Sequence, residues 1–408
     1  MRETTLESPR TPERDPAYGW VVVAALSVTE IISWGIAYYS FPVVLQAVER
    51  DLGASRAAVT GAFSTALAAS ALAAIPVGRW LDRYGPRALM TAGSCLAAVL
   101  LLAWSRIQTL GELYIVWGGM GLAMATVLYE PAFAAIVQWF PYRRDRALLV
   151  LTLAGGLAST IFLPITAHLL ERFGWRTTVA VLAAFLAATT IPIHALALRP
   201  APATPPSKDD LPTAAVGGMP LSAALRTAIF WILAVAFAAS TFVAATVSVH
   251  AIPYLTSQGY SPTYAAAAVG WMGAMQLPGR LLFVPIASWL GAGTATASIF
   301  LAQGAGMALL AMVARLPSVI PVIVLLGAAN GMSTLARATA VAEVFGRRYY
   351  GSVNGAIGLW ANGARAVGPV GASLLWVWLG GYEPVFWLLG SAVAIAGLVV
   401  WLTPYTAR

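Results

Sequence analysis

Five ionisable side chains stand inside long apolar runs of this sequence, and their types limit what they can do. Arg280 in MQLPGRLLFVP, Arg337 and Arg365 carry guanidiniums that stay charged at any physiological pH. Glu30 in SVTEIISWGIAYYS and Glu130 carry carboxyls. No catalytic cluster accompanies them, so the chemistry on offer is reversible: holding an anion, pairing across helices, or taking up and releasing a proton. A guanidinium is a planar fork that matches a carboxylate, which makes an anion the natural partner of Arg280; a carboxylate from another helix is the structural alternative. The histidines, His168, His194 and His250, lie too far apart to form a metal site without further ligands, and nothing calls for a cofactor.

The runs around these charges define the solvent. Of 408 residues 59% are hydrophobic and 10% charged, with a mean hydropathy of +0.78. Soluble domains are about 25% charged. Twelve apolar runs, the first at 18–48 and the last at 384–404, are long enough to cross a bilayer as helices. The expectation is an all-α polytopic membrane protein with 12 transmembrane helices. A soluble enzyme would need more charge to cover its surface, and a transmembrane barrel would show short alternating segments instead. Cys95 is the single cysteine, so no disulfide framework exists. The first 17 residues are polar and lead directly into a span, which does not fit a cleavable signal peptide.

Charge bias orients the spans. Fifteen Lys and Arg fall in the segments on the side of the termini and six on the other, with the remaining three inside runs. By the positive-inside rule both termini are cytoplasmic. The net charge of +8 is then mostly topological, and no dense basic patch suggests nucleic-acid binding. The segment 200–224, Pro-rich and polar, reads as a cytoplasmic linker. It separates bundles at 18–199 and 225–404, with tails at 1–17 and 405–408. The halves resemble each other weakly at a shift of about 205 residues: FPYRR at 140–144 against FGRRY at 345–349, Pro164 against Pro369, LDRYG at 81–85 against ASWLG at 287–291. Two parallel repeats with a central site opening alternately to each side account for this pattern.

The stretch GRWLDRYGPR at 78–87 resembles the signature between the second and third helices of the major facilitator superfamily, with Gly78, Asp82, Arg83, Gly85 and Arg87 at its positions. The resemblance implies the two-bundle fold and a gating role for these residues. Asp82 can accept hydrogen bonds from a helix N-terminus in the other half. The second-half counterpart carries Ser288 in place of Asp82, so one of two such latches is weakened or absent.

Within the superfamily, YGWVVV at 18–23, the stretch from His250 to Pro253 and PGRLLFVP at 278–285 resemble the bacterial monocarboxylate transporter group and its oxalate/formate exchanger relatives. In that group the helix 8 arginine binds the substrate carboxylate, a role implied here for Arg280. Animal members place an aspartate four residues earlier, where this chain has Gln276. Exchangers use a basic residue on helix 11, which Arg365 resembles, and Asn362 shares its face.

The expected function is proton-coupled symport of a small organic monocarboxylate such as lactate or pyruvate. Organic anion exchange is the alternative, and efflux of amphipathic cations a third reading. Glu30 is the favoured proton carrier, because a carboxyl out of water holds its proton more readily and a nearby arginine opposes this; His250 is the other candidate, and while protonated it could also bind the anion. Tyr38, Tyr39, Tyr129 and Asn330 are candidate cavity residues, and Arg337 and Glu130, towards the cytoplasmic ends of helices 10 and 4, a candidate gate pair. His168 and His194 read as interfacial. The expected setting is a bacterial cytoplasmic membrane, with the protein a monomer whose partners are a small organic anion, H+ and lipid.

Overall fold

The computed structural model describes residues 17–140, 143–199 and 218–403. The N-terminal tail, most of the segment read as linker and the C-terminal tail lie outside the described residues.

Twelve helices cross from face to face. They are α1 (Ala17–Leu52), α2 (Arg56–Tyr84), α3 (Pro86–Trp104), α4 (Leu110–Trp139), α5 (144–173), α6 (175–197), α7 (Ala228–Ser257), α8 (262–290), α9 (Ala292–Ala311), α10 (Ile320–Phe345), α11 (Tyr350–Leu379) and α12 (Tyr382–Leu402). Nine stretches among the described residues are both long and apolar enough to cross a membrane as continuous helices. The count of twelve follows from three local facts. The stretch Arg144–Ala197 is two helices that meet at Gly174, whose φ of 72° ends one and starts the next. Helix α8 is interrupted at Met275, which divides it into Pro262–Ala274 and Gln276–Leu290. Helix α11 is a full 30 residues but is diluted by glycines, Asn354, Asn362 and Arg365.

Local signals set the ends. Ser55, Thr109, Thr227 and Ser261 each accept a hydrogen bond from the backbone N–H three residues on, at 3.2 to 3.4 Å, and start α2, α4, α7 and α8. Gly85 and Gly291, 206 residues apart, turn the chain between α2 and α3 and between α8 and α9 with φ of 75° and 80°. The helix pairings repeat as these turns do. Helix α3 packs on α6 as α9 packs on α12, α2 on α4 as α8 on α10, and α1 on α5 as α7 on α11. The segment read as linker rejoins the fold before its expected end. Met219 donates its N–H to the Phe345 carbonyl at 2.7 Å, and Leu221–Ala224 form a short helix.

The outer surface is apolar: Trp289 is 84% exposed and Trp378 78%, with Leu72, Ile115 and Leu402 similarly bare. Such a surface is stable only against lipid, so the chain is a multi-pass membrane protein. The polar contacts between the halves gather on one face, the terminal face, which carries the α2–α3, α4–α5, α8–α9 and α10–α11 turns. There α2 lies directly on α11. A Cβ at Gly78 would sit 2.1 Å from the Gly351 carbonyl oxygen, and one at Gly355 2.3 Å from that of Ala74.

Candidate functional site

Midway along α1 the winding loosens. Trp34–Tyr39, WGIAYY, forms a π-helical stretch, a feature that helices rarely carry away from functional sites. It groups aromatic rings against the other half of the same bundle: Trp34 lies 5.1 Å from Tyr38 and 5.2 Å from Tyr129 of α4, which in turn stacks on Phe133 at 5.1 Å.

Arg280 meets this cluster from the other half of the molecule. The residue is 7% exposed, and Nη1 donates to the backbone carbonyl of Thr152 on α5 at 2.5 Å. The hydroxyl of Tyr129 donates to the same carbonyl at 3.5 Å. Gly156 makes the approach possible, since a Cβ there would stand 2.3 Å from Nη1. Nε of Arg280 has no hydrogen-bond partner. No carboxylate pairs with this guanidinium among the described residues, so its charge is compensated only by a carbonyl dipole.

Arg365 on α11 is exposed. It lies with Arg280 within electrostatic reach of Tyr39 and makes no hydrogen bond or ion pair among the described residues. Asn362 sits one turn away, half-buried. Glu30 lies four residues before Trp34 and is fully buried; neither carboxyl oxygen closes a hydrogen bond, although the Trp34 indole is its polar neighbour. Two cations without carboxylate partners, two tyrosines and a buried carboxyl thus converge where the halves meet. The arrangement can hold an anion and, separately, a proton.

The residues expected to gate lie nearer the terminal face. Asp82 accepts from the backbone N–H of Gly351 at 2.7 Å and of Ser352 at 2.8 Å, and from the Ser352 hydroxyl. One carboxylate therefore caps the first turn of α11. Gly78 supplies the close approach of α2 to α11, Gly85 the turn after α2; Arg83 lies over the Tyr84 ring at 5.1 Å and Arg87 is exposed. Ser288, at the Asp82 position of the second half, donates to its own helix at Pro285 (2.8 Å) and reaches across to nothing. Arg337 donates to Glu130 at 3.0 Å, joining α10 to α4.

Sequence reasoning missed the rest of this seam. Arg144 pairs with Glu343 at 3.2 Å, Thr339 donates to Asp145 at 2.9 Å, and Arg347 donates to the carbonyls of Val137 and Gln138. The RR pairs at 143–144 and 347–348 were its only visible trace. Thr152, which contributes only a carbonyl, left none.

Two expected site residues lie elsewhere. His250 is packed between α7, α11 and α12. Its ring contacts the Pro369 carbonyl at 2.9 Å, the Tyr382 hydroxyl at 3.3 Å and Ser373 at 3.4 Å, all within one bundle. Asn330 lines a cavity of the second bundle that Gln276 also lines, outside the aromatic cluster. His194, read as interfacial, is instead fully buried between α6 and α3, with Nδ1 2.9 Å from the Ser94 hydroxyl. A polar partner on a neighbouring helix outweighs position near a helix end.

A family model described as Major Facilitator Superfamily matches residues 26–369. Human monocarboxylate transporter 11 is 31% identical over 212 residues, covering 50% of this chain and 43% of that protein. A Mycobacterium tuberculosis protein named probable nitrate/nitrite transporter is 28% identical over 311 residues, covering 74% of this chain and 73% of that protein. The match thus spans less than half the length of the first relative. The crystal structure of a human organic anion transporter superposes with a TM-score of 0.73 at 15% identity, covering 94% of this chain and all of that one, which is a likeness of fold.

Proposed function

The chain belongs to the major facilitator superfamily, and on that footing we propose that this membrane transporter carries a small organic monocarboxylate, lactate- or pyruvate-like, together with a proton. Arg280 holds the carboxylate, Arg365 supports it from α11, and Glu30 carries the proton. The observation behind this reading is Arg280 itself. A guanidinium buried at the junction of the halves, with Nε unsatisfied and no carboxylate beside it, is incomplete without an anion. An anion bound there also replaces a tether between the bundles, because the donor now on Thr152 is the one it would take.

With the termini in the cytoplasm, as the arginine bias supports, the closed terminal face is cytoplasmic and the conformation described is outward-facing. Release inside then requires Asp82, Glu130 and Glu343 to give up their partners across the seam. Efflux of a cation fits poorly, since the central cluster carries two guanidiniums.

Exchange of one organic anion for another is the second reading. The unpaired charge of Arg365 favours it, because two cations can hold a divalent anion. Proteoliposomes separate the two. Accumulation of labelled lactate driven by an imposed inward proton gradient supports symport, whereas uptake that ignores the gradient and requires a trans-side anion supports exchange. Lactate transport that survives Arg280→Ala would remove the anchor from either account.

A further inference from the structure

The second bundle holds a partly open cavity of about 220 Å³ between α7, α8, α9 and α10. Three side-chain amides line it: Gln276 of α8, Gln303 of α9 and Asn330 of α10. Its remaining walls are Ser248, glycines and aliphatic side chains, with no ionisable group. Gln303 is 1% exposed, and its Oε1 has no hydrogen-bond partner. The side chains of Gln276 and Asn330 are half-buried and make no hydrogen bond to another described residue. A buried amide is ordinarily paired, because an unmet donor or acceptor keeps its desolvation cost. The orphaned oxygen of Gln303, with two further amides facing the same space, marks a site able to hydrogen-bond something other than the protein.

The cavity adjoins the anion anchor. Gln276 and Arg280 lie four residues apart on one unbroken helical segment, so they share a face. Their separation along the axis is about 6 Å. A molecule whose carboxylate meets Arg280 can extend its other end towards Gln276 and the space behind it. That space has room for about seven waters at roughly 30 Å³ each, which is room for a small polar group. A second charge would be stranded there without a counter-ion. A purely apolar tail would displace water and leave three amides unmet.

We propose that this amide-lined cavity receives the far end of the transported acid, so that the site favours a short carboxylate bearing a neutral hydrogen-bonding group, such as a hydroxyl or an oxo group, on a carbon remote from the carboxylate. The proposal rests on the carboxylate reading of Arg280. It adds that Gln276, Gln303 and Asn330 select among acids that Arg280 alone would treat alike.

The test compares matched acids in purified protein by ligand-induced thermal stabilisation, with 4-hydroxybutyrate against butyrate. The wild type is expected to bind 4-hydroxybutyrate at least tenfold tighter than butyrate. Gln303→Leu is expected to bring that ratio close to one while butyrate binding is kept, and Asn330→Ala provides the same readout should the leucine variant fail to fold. Equal binding of hydroxylated and plain acids by the wild type, or an undiminished preference in both variants, overturns the proposal. Arg280→Gln separates the two levels: it is expected to abolish binding of both acids. If it does so but no hydroxyl preference exists, only the cavity assignment falls. If neither acid binds the wild type, both fall.

Discussion

Arg280 of the second bundle and Thr152 of the first are joined by a hydrogen bond of 2.5 Å, from a guanidinium Nη1 to a backbone carbonyl. The contact lies deepest in a seam whose other polar links, from Asp82 to Arg347, sit nearer the terminal face. A substrate anion that claims this guanidinium therefore competes with an inter-bundle tether. Occupancy and closure are coupled through one side chain.

Replacing Arg280 should abolish binding even when charge is kept. A buried charge-assisted contact is worth about 2 kcal/mol or more, so Arg280→Ala should weaken lactate affinity at least about 30-fold. Arg280→Lys should recover little, because an ammonium cannot present the fork. Labelled uptake and thermal stabilisation by lactate measure both, with size-exclusion profiles confirming that the variants fold.

Asp82→Asn should open the terminal face. The side chain keeps one acceptor where the carboxylate offered two and loses its charge at the first turn of α11. Hydrogen bonds to a charged group contribute about 1.5–3 kcal/mol, so the ratio of closed to open forms should fall roughly tenfold or more. Spin-label distances between the ends of α2 and α11 are expected to lengthen in a larger fraction of molecules, and an unchanged distribution would remove Asp82 as a latch.

Gly78→Ala should have a related effect through shape. The added Cβ meets three backbone atoms, the Gly351 carbonyl oxygen at 2.1 Å, its carbon at 2.5 Å and the Ser352 nitrogen at 2.9 Å. None can rotate away, so α2 and α11 must separate at a cost of about 1–3 kcal/mol. The same label pair should show the shift.

Glu130 and Arg337 should couple energetically. Each single substitution to glutamine strands the other charge in a largely buried position, whereas the double substitution removes both. A double-mutant cycle on thermal unfolding is expected to give an interaction of about 0.5–3 kcal/mol; strict additivity would mean that the pair contributes nothing.

Glu30→Gln should uncouple transport from protons. Gradient-driven accumulation of lactate is expected to disappear while lactate counterflow between equal pH values persists. Retained gradient dependence would move proton coupling away from α1.

Much of this protein was legible in its sequence for a physical reason. A bilayer imposes length and apolarity on every span, so composition alone exposes twelve crossings, their two sixfold sets and the charges that do not belong among them. The turn glycines Gly85 and Gly291 were visible too, because their offset reports the repeat. Arg280, Arg365 and Glu30 stood out as costly charges in apolar runs, and they lie within electrostatic reach of Tyr39 or Tyr129, two of the candidate cavity residues.

What the sequence could not decide was which residues would meet. Helical periodicity assigns residues to faces within one helix, but the rotation of each helix is set by packing against segments far along the chain. Glu130 and Arg337 meet across 207 positions, and Asp82 and Gly351 across 269. The same packing turned His250 and Asn330 away from the central cluster and put Trp34 into it. It also recruited a carbonyl of Thr152, a group every residue possesses and therefore one that no sequence pattern can mark.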